Sequence, residues 1–166
     1  MLKEKIEEDF QKALKEKNEE EVSVLRVLKA EIVNKEKEKR QQKSKENPEL
    51  ALGELEKESQ LTDEELVSLI ASEVKKRKEA VLEFEKGKRE DLVEKEKKEI
   101  EILKRYLPEQ LSEEEIKKLV KETIQRLSAK SLKDMGRVMG EIMPKIKGRA
   151  EGEIVSKIVR EELSSL

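Results

Sequence analysis

Residues 131–156 read SLKDMGRVMGEIMPKIKGRAEGEIVS and hold most of what is unusual in this chain. Four of the six glycines (Gly136, Gly140, Gly148, Gly152) and three of the four methionines fall inside the stretch. Ser131-Leu132-Lys133-Asp134 is a capping signature and predicts a helix start, the Ser hydroxyl taking one of the free N–H groups. Met135, Met139 and Met143 recur every four residues and stand one above another. That spacing suits core filling, or an adaptable groove for a partner helix. Gly136 and Gly140 share the neighbouring face and leave it smooth. Each costs about 1 kcal/mol of helix propensity against alanine, so close packing or close approach of a ligand must offset it. Pro144 has no N–H for the Gly140 carbonyl, which predicts a kink or an end to the helix nearby. Gly148 then suits a left-handed C-terminal cap, and a last helix runs from about Gly152 to Leu163 through Ile154, Val155, Ile158, Val159 and Leu163.

The same rhythm extends through the rest of the chain. Leu2, Ile6, Phe10, Ala13 and Leu14 mark one face of a first helix, with Asn18 as its break or C-cap. A second helix is expected from about Glu19 to Gln42, with Val22, Leu25, Leu28 and Ile32 inward and Val24, Val27 and Val33 widening the stripe. Its KEKEKRQQK end (35–43) carries no apolar anchor and is expected to project into solvent. Residues 44–60, with Pro48 and Gly53, are expected to form a long, partly mobile connection, in which Asn47 followed by Pro48 suits the start of a short helix. A capping box at Thr62–Glu65 opens a third helix, with Leu66, Leu69, Ile70, Val74, Val81 and Phe84 inward and Gly87 as a left-handed cap. A fourth follows from about Glu90 to Tyr106, its EKEKKE middle (94–99) exposed.

Pro108 marks the expected domain boundary. Beyond it a capping box at Ser112–Glu115 opens a helix with Ile116, Leu119, Val120, Ile124 and Leu127 inward. No strand-like alternation survives anywhere. The expectation is an all-α protein, with a four-helix N-terminal domain over 1–107 and a three-helix C-terminal domain over 108–166.

Composition narrows the function classes. Charged residues make up 47% of the chain, a share that can signal disorder. Against that, Leu, Ile, Val and Phe together reach about 27%, above the level of disordered chains, and the net charge is only −2. Lys and Glu enrichment fits a thermophilic source. Cysteine, histidine and tryptophan are absent, so no disulfide framework or Cys/His metal site is expected. With no signal-peptide core and no membrane-length apolar run, the expected location is the cytoplasm. No nucleophile elbow, no phosphate loop and no imidazole base is present, so neither catalytic residues nor a cofactor are expected.

Charge distribution is more telling than total charge. From Arg126 to Arg149 there are seven cations against two anions, a balance of +5 inside an acidic chain. Lys and Arg gathered near free helix N–H groups suit a phosphate backbone. The absence of accompanying aromatics argues against base stacking. The candidate nucleic-acid-binding residues are Lys133, Gly136, Arg137, Gly140, Lys145, Lys147, Gly148 and Arg149. The alternative is a protein-interaction adaptor using the Met stripe and the exposed helix ends.

KDMGRVMGEIMPKIKGRAEG (133–152), YLPEQLSEEE (106–115) and EFEKGKREDLVEKE (83–96) resemble the YqeY-like family, also called the GatB/YqeY domain. EEDFQKALKEKN (7–18) and SVLRVLKAEIVNKE (23–36) extend the likeness to nearly the whole chain. The resemblance implies an N-terminal helical domain and a C-terminal three-helix domain. That last domain looks like the tail of the B subunit of the Glu/Asp-tRNA amidotransferase, a carbon–nitrogen ligase using glutamine as amide donor. A tRNA-related role for Gly136, Gly140, Lys147, Gly148 and Arg149 is implied, with tRNA and amidotransferase or aminoacyl-tRNA synthetase components as partners. Catalysis is not implied, because the amidase Ser-Ser-Lys machinery is missing. One departure is visible at Glu151, where Asp is the expected and better N-cap.

Overall fold

The computed structural model describes residues 1–165, and every regular element among them is helical. Leu166, the last residue of the expected C-terminal domain, lies outside the described residues. The chain divides into two compact units, the first Met1–Tyr106 and the second beginning at Leu107.

The first unit holds α1 (Leu2–Glu16), α2 (Glu19–Glu46), α3 (Leu52–Glu58), α4 (Asp63–Lys86) and α5 (Glu90–Lys104). α1 packs on α2 and α4, and α4 forms a long hairpin with α5. Ile6, Leu25, Leu28, Leu66, Ile70 and Leu103 are fully buried, the aliphatic stripe that period-3.6 spacing predicts. The Thr62 box is formed as expected: Glu65 N–H donates to Thr62 Oγ1 at 3.2 Å and Thr62 N–H to Glu65 Oε2 at 2.7 Å. Tyr106, just past α5, is buried and donates to Asp9 Oδ2 at 2.8 Å. Burial and that carboxylate together hold its phenol well above the usual range.

Several local readings change. The chain breaks at Lys17–Asn18 as expected, but Lys17 rather than Asn18 takes the left-handed C-cap (φ 56°), and Asn18 caps α2 by accepting from Glu21 N–H at 3.2 Å. Val24 is buried, but Val27 and Val33 face solvent. α2 runs four residues past its expected end because its charged tail is not free. Lys39 donates to Glu65 at 2.7 Å and to the Gln60 carbonyl at 3.0 Å, and Lys43 reaches Glu58 at 2.8 Å. These partners lie in α3 (Glu58), just beyond it (Gln60) and in the first turn of α4 (Glu65); α3 is a short helix that the expected long connection contains as a fifth element. Leu55 anchors α3 by burial.

Gly87 stays right-handed (φ −78°), and the left-handed residue is Lys88 (φ 54°). Arg89 N–H then reaches the Phe84 carbonyl at 3.0 Å and Lys88 N–H the Glu85 carbonyl at 3.1 Å, a Schellman closure offset by one residue. A side chain in this conformation is strained by about 1 kcal/mol. Lys88→Gly is therefore expected to raise stability by up to about 1 kcal/mol, read as a higher denaturant midpoint at unchanged slope.

The middle of α5 is not fully exposed either. Glu99 is buried and accepts from Arg77 of α4, whose guanidinium also reaches Glu96 at 3.0 Å.

The second unit holds α6 (Glu113–Leu127), a 3-10 turn (Leu132–Asp134), α7 (Met135–Ile146) and α8 (Gly152–Ser164). The Ser112 box forms as expected, Glu115 N–H donating to Ser112 Oγ at 3.3 Å and Ser112 N–H to Glu115 Oε2 at 2.8 Å. The three helices close on one core, with Ile116, Val120, Val138, Ile142, Val155 and Val159 all at most 2% exposed.

Candidate nucleic-acid interface

α7 is positioned from its start by Ser131 and Asp134. Lys133 N–H donates to Ser131 Oγ at 3.3 Å, and the Asp134 carboxylate accepts from Lys130 N–H at 2.9 Å and Ser131 N–H at 3.3 Å. Those backbone donors hold the Asp134 carboxyl below its usual range. The capping signature thus makes a 3-10 turn first, and the α-helix begins at Met135.

The helix then sorts its residues by face. Val138, Ile142 and Ile146 point into the core, while Met135, Met139 and Met143 pack half-buried along its edge. The opposite face carries Gly136, Gly140 and Pro144, four residues apart and all exposed. A Cβ built at Gly136 or Gly140 would meet nothing within 4 Å. Close packing inside the second unit therefore does not account for these two glycines. Gly152 differs, because a Cβ there would approach Met143 Cε at 3.4 Å, and α8 starts tightly against the methionine edge. Glu151 occupies the N-cap of α8 without a side-chain capping bond.

Gly148 has the positive φ expected of it (74°), in a particular setting. Lys147 (φ −53°, ψ 121°) and Gly148 are the central residues of a type II turn, closed by Arg149 N–H donating to the Ile146 carbonyl at 2.8 Å. Such a turn requires a left-handed residue at its third position, which favours glycine. The turn is also tied to the start of the unit. Gln110 Nε2 donates to the Gly148 carbonyl at 2.7 Å, Leu111 N–H to the Arg149 carbonyl at 2.8 Å, and Arg149 Nε to the Glu109 carbonyl at 3.2 Å.

The cations do not collect at one bend. Lys133 stands in the 3-10 turn before α7 and Gly136, Arg137 and Gly140 in its first half, while Lys145 lies in its last turn and Lys147, Gly148 and Arg149 just past it, across a helix about 18 Å long. Lys145 and Arg149 come together in the lining of a groove of about 350 Å³ beside α6. Arg137 donates to the Leu127 carbonyl at 2.7 Å and lies 3.6 Å from Asp134. Lys145 lies 3.6 Å from Glu141, which also accepts from Arg126 at 2.6 Å. Arg126, followed by Lys145, keeps the Glu141 carboxyl below its usual range. Lys133 and Lys147 stand exposed at the two ends of α7. The Arg126–Glu141 pair is not among the sequence candidates, since it joins two helices; only Glu141 and Lys145, spaced i,i+4, give a local sign of it.

Among the described residues no cluster of carboxylates could hold a metal ion. None of the described helices is long and apolar enough to cross a membrane.

The chain matches the family described as Yqey-like protein over residues 3–163. It is 33% identical over 160 residues to the Altered inheritance of mitochondria protein 41, mitochondrial, of Pyrenophora tritici-repentis, an alignment that covers 95% of this chain and 78% of that protein. It is 40% identical over 60 residues to a Glutamyl-tRNA(Gln) amidotransferase subunit of Thermococcus gammatolerans, 34% of this chain but only 10% of that larger protein. An uncharacterized protein of Schizosaccharomyces pombe shares 41% identity over 51 residues, 42% of its length. The Thermococcus protein is a partial relative of the kind the motifs at 133–152 implied. With its family matched over nearly all of its length, and a relative aligned to 95% of it, the chain belongs to the YqeY-like protein family.

Proposed function

We propose that this protein is an accessory tRNA-binding module, cytoplasmic and non-catalytic by itself, serving glutamine-dependent tRNA amidotransferase systems. The observation that carries the proposal is the bare face of α7, where Gly136 and Gly140 are exposed and meet no neighbour. A helix gives up about 1 kcal/mol at an interior glycine, and here nothing inside the unit offsets it. A sugar-phosphate backbone approaching that face, with Lys133 at one end and Lys147 at the other, would. The partial likeness to a protein named for glutamyl-tRNA(Gln) supports the same choice of ligand. The adaptor alternative is weakened at the Met stripe, because Met135, Met139 and Met143 already pack on their own core.

Gly140→Ala separates fold from function. Alanine has room at this position, so the variant is expected to melt higher, by up to about 1 kcal/mol in stability. Its tRNA affinity is expected to fall, because the added methyl holds the backbone off. Lys133→Ala with Lys147→Ala is expected to flatten the salt dependence of tRNA binding by up to about two phosphate contacts. Binding unchanged by both variants, or no tRNA binding by the intact protein at low salt, would refute the proposal.

A further inference from the structure

We infer that Glu141 is an internal phosphate mimic: it occupies Arg126 and Lys145 until a nucleic-acid phosphate takes its place. The inference rests on the tRNA-binding proposal and concerns how the same surface is regulated.

Two anions interrupt the cation-rich window, and they play different parts. Asp134 is committed to the backbone, accepting two N–H groups that shape the entry to α7. Glu141 accepts no backbone bond among the described contacts. Its carboxylate holds the guanidinium of Arg126, on α6, at 2.6 Å and the ammonium of Lys145 within 3.6 Å. Both cations meet the same oxygen, Oε2, as they would meet one phosphate oxygen. All three side chains are well exposed, at 53%, 42% and 48% for Arg126, Glu141 and Lys145, so a phosphate has access without any backbone opening. An ion pair in that setting contributes little to folding. A carboxylate there does, however, neutralise one of two cations and repel an incoming phosphate. Glu141 is one residue along the helix from Gly140, so its position borders the bare face.

The consequence is selectivity by charge density. A single carboxylate or a sparse anion gains little by displacing Glu141. A polyphosphate backbone engages several cations at once and meets the displacement cost only once.

The test compares wild type, Glu141→Gln, Arg126→Gln/Lys145→Gln, and the variant carrying all three changes. A tRNA transcript is titrated at several salt concentrations, with helicity and melting followed in parallel. Glu141→Gln is expected to bind about fivefold tighter at low salt, with a salt slope steeper by about one to two contacts and melting nearly unchanged. That gain is expected to vanish on the Arg126→Gln/Lys145→Gln background, which separates release of these two cations from a general rise in positive charge. If wild type binds and Glu141→Gln binds equally or more weakly at intact helicity, the mimic is overturned while the tRNA proposal stands. A gain that survives on the double-glutamine background also overturns it. No binding by wild type and Glu141→Gln alike would remove both.

Discussion

Ile142→Ala is expected to cost the second unit about 3–4 kcal/mol, a large part of what a unit this small possesses. Ile142 is fully buried at the centre of α7, facing the α6 and α8 core. Truncation removes its transfer free energy and leaves a cavity that Val138 and Ile146, one turn away on either side, cannot close without moving the helix. Hydrogen exchange measures the result directly. Amides of α6, α7 and α8 are expected to lose protection, and Ile142→Val is expected to cost only about 1 kcal/mol. Equal protection in wild type and Ile142→Ala would mean that α7 is not held by this face.

The second large effect is expected at Arg77. Replacing it with methionine leaves buried Glu99 with only the largely exposed Lys95, 3.9 Å away, as counter-charge, a loss of about 3 kcal/mol. Arg77 Nε is already buried without a hydrogen-bond partner, so the pair is incompletely satisfied even in the native fold. Changing both residues, Arg77→Met with Glu99→Leu, is therefore expected to recover most of the loss or exceed wild type. A double-mutant cycle by urea unfolding measures the coupling, and a double variant no more stable than Arg77→Met would refute it.

These residues also show where the sequence can be read and where it cannot. The capping boxes at Thr62 and Ser112 are legible because donor and acceptor lie three residues apart and need no partner from elsewhere. The apolar stripes of α4 and α6 follow for a similar reason, since one helix repeat fixes their face. Arg77 and Glu99 lie 22 residues apart on different helices. In a chain that is 47% charged, no pattern distinguishes this buried pair from its exposed neighbours. The α2 tail escapes reading likewise, because the partners of Lys39 and Lys43 arrive only once α3 and the start of α4 fold back. At Gly87 the composition misleads: glycine is the usual left-handed residue, yet it keeps a right-handed φ as the C-cap and Lys88 makes the turn. At the candidate interface, the exposure of Gly136 and Gly140 depends on where α6 and α8 lie, which helical spacing within α7 does not contain.

The ties between residues 109–111 and the Lys147–Gly148 turn bear on how the chain folds as it is made. Glu109, Gln110 and Leu111 are among the first residues of the second unit to be synthesised, yet their hydrogen-bond partners are Gly148 and Arg149. Nearly forty residues must leave the ribosome before the opening segment can be fastened. Throughout that interval α6 can form and cap itself at Ser112 while its apolar side stays uncovered. The second unit therefore matures late and nearly all at once, and its earliest residues are among the last to be secured.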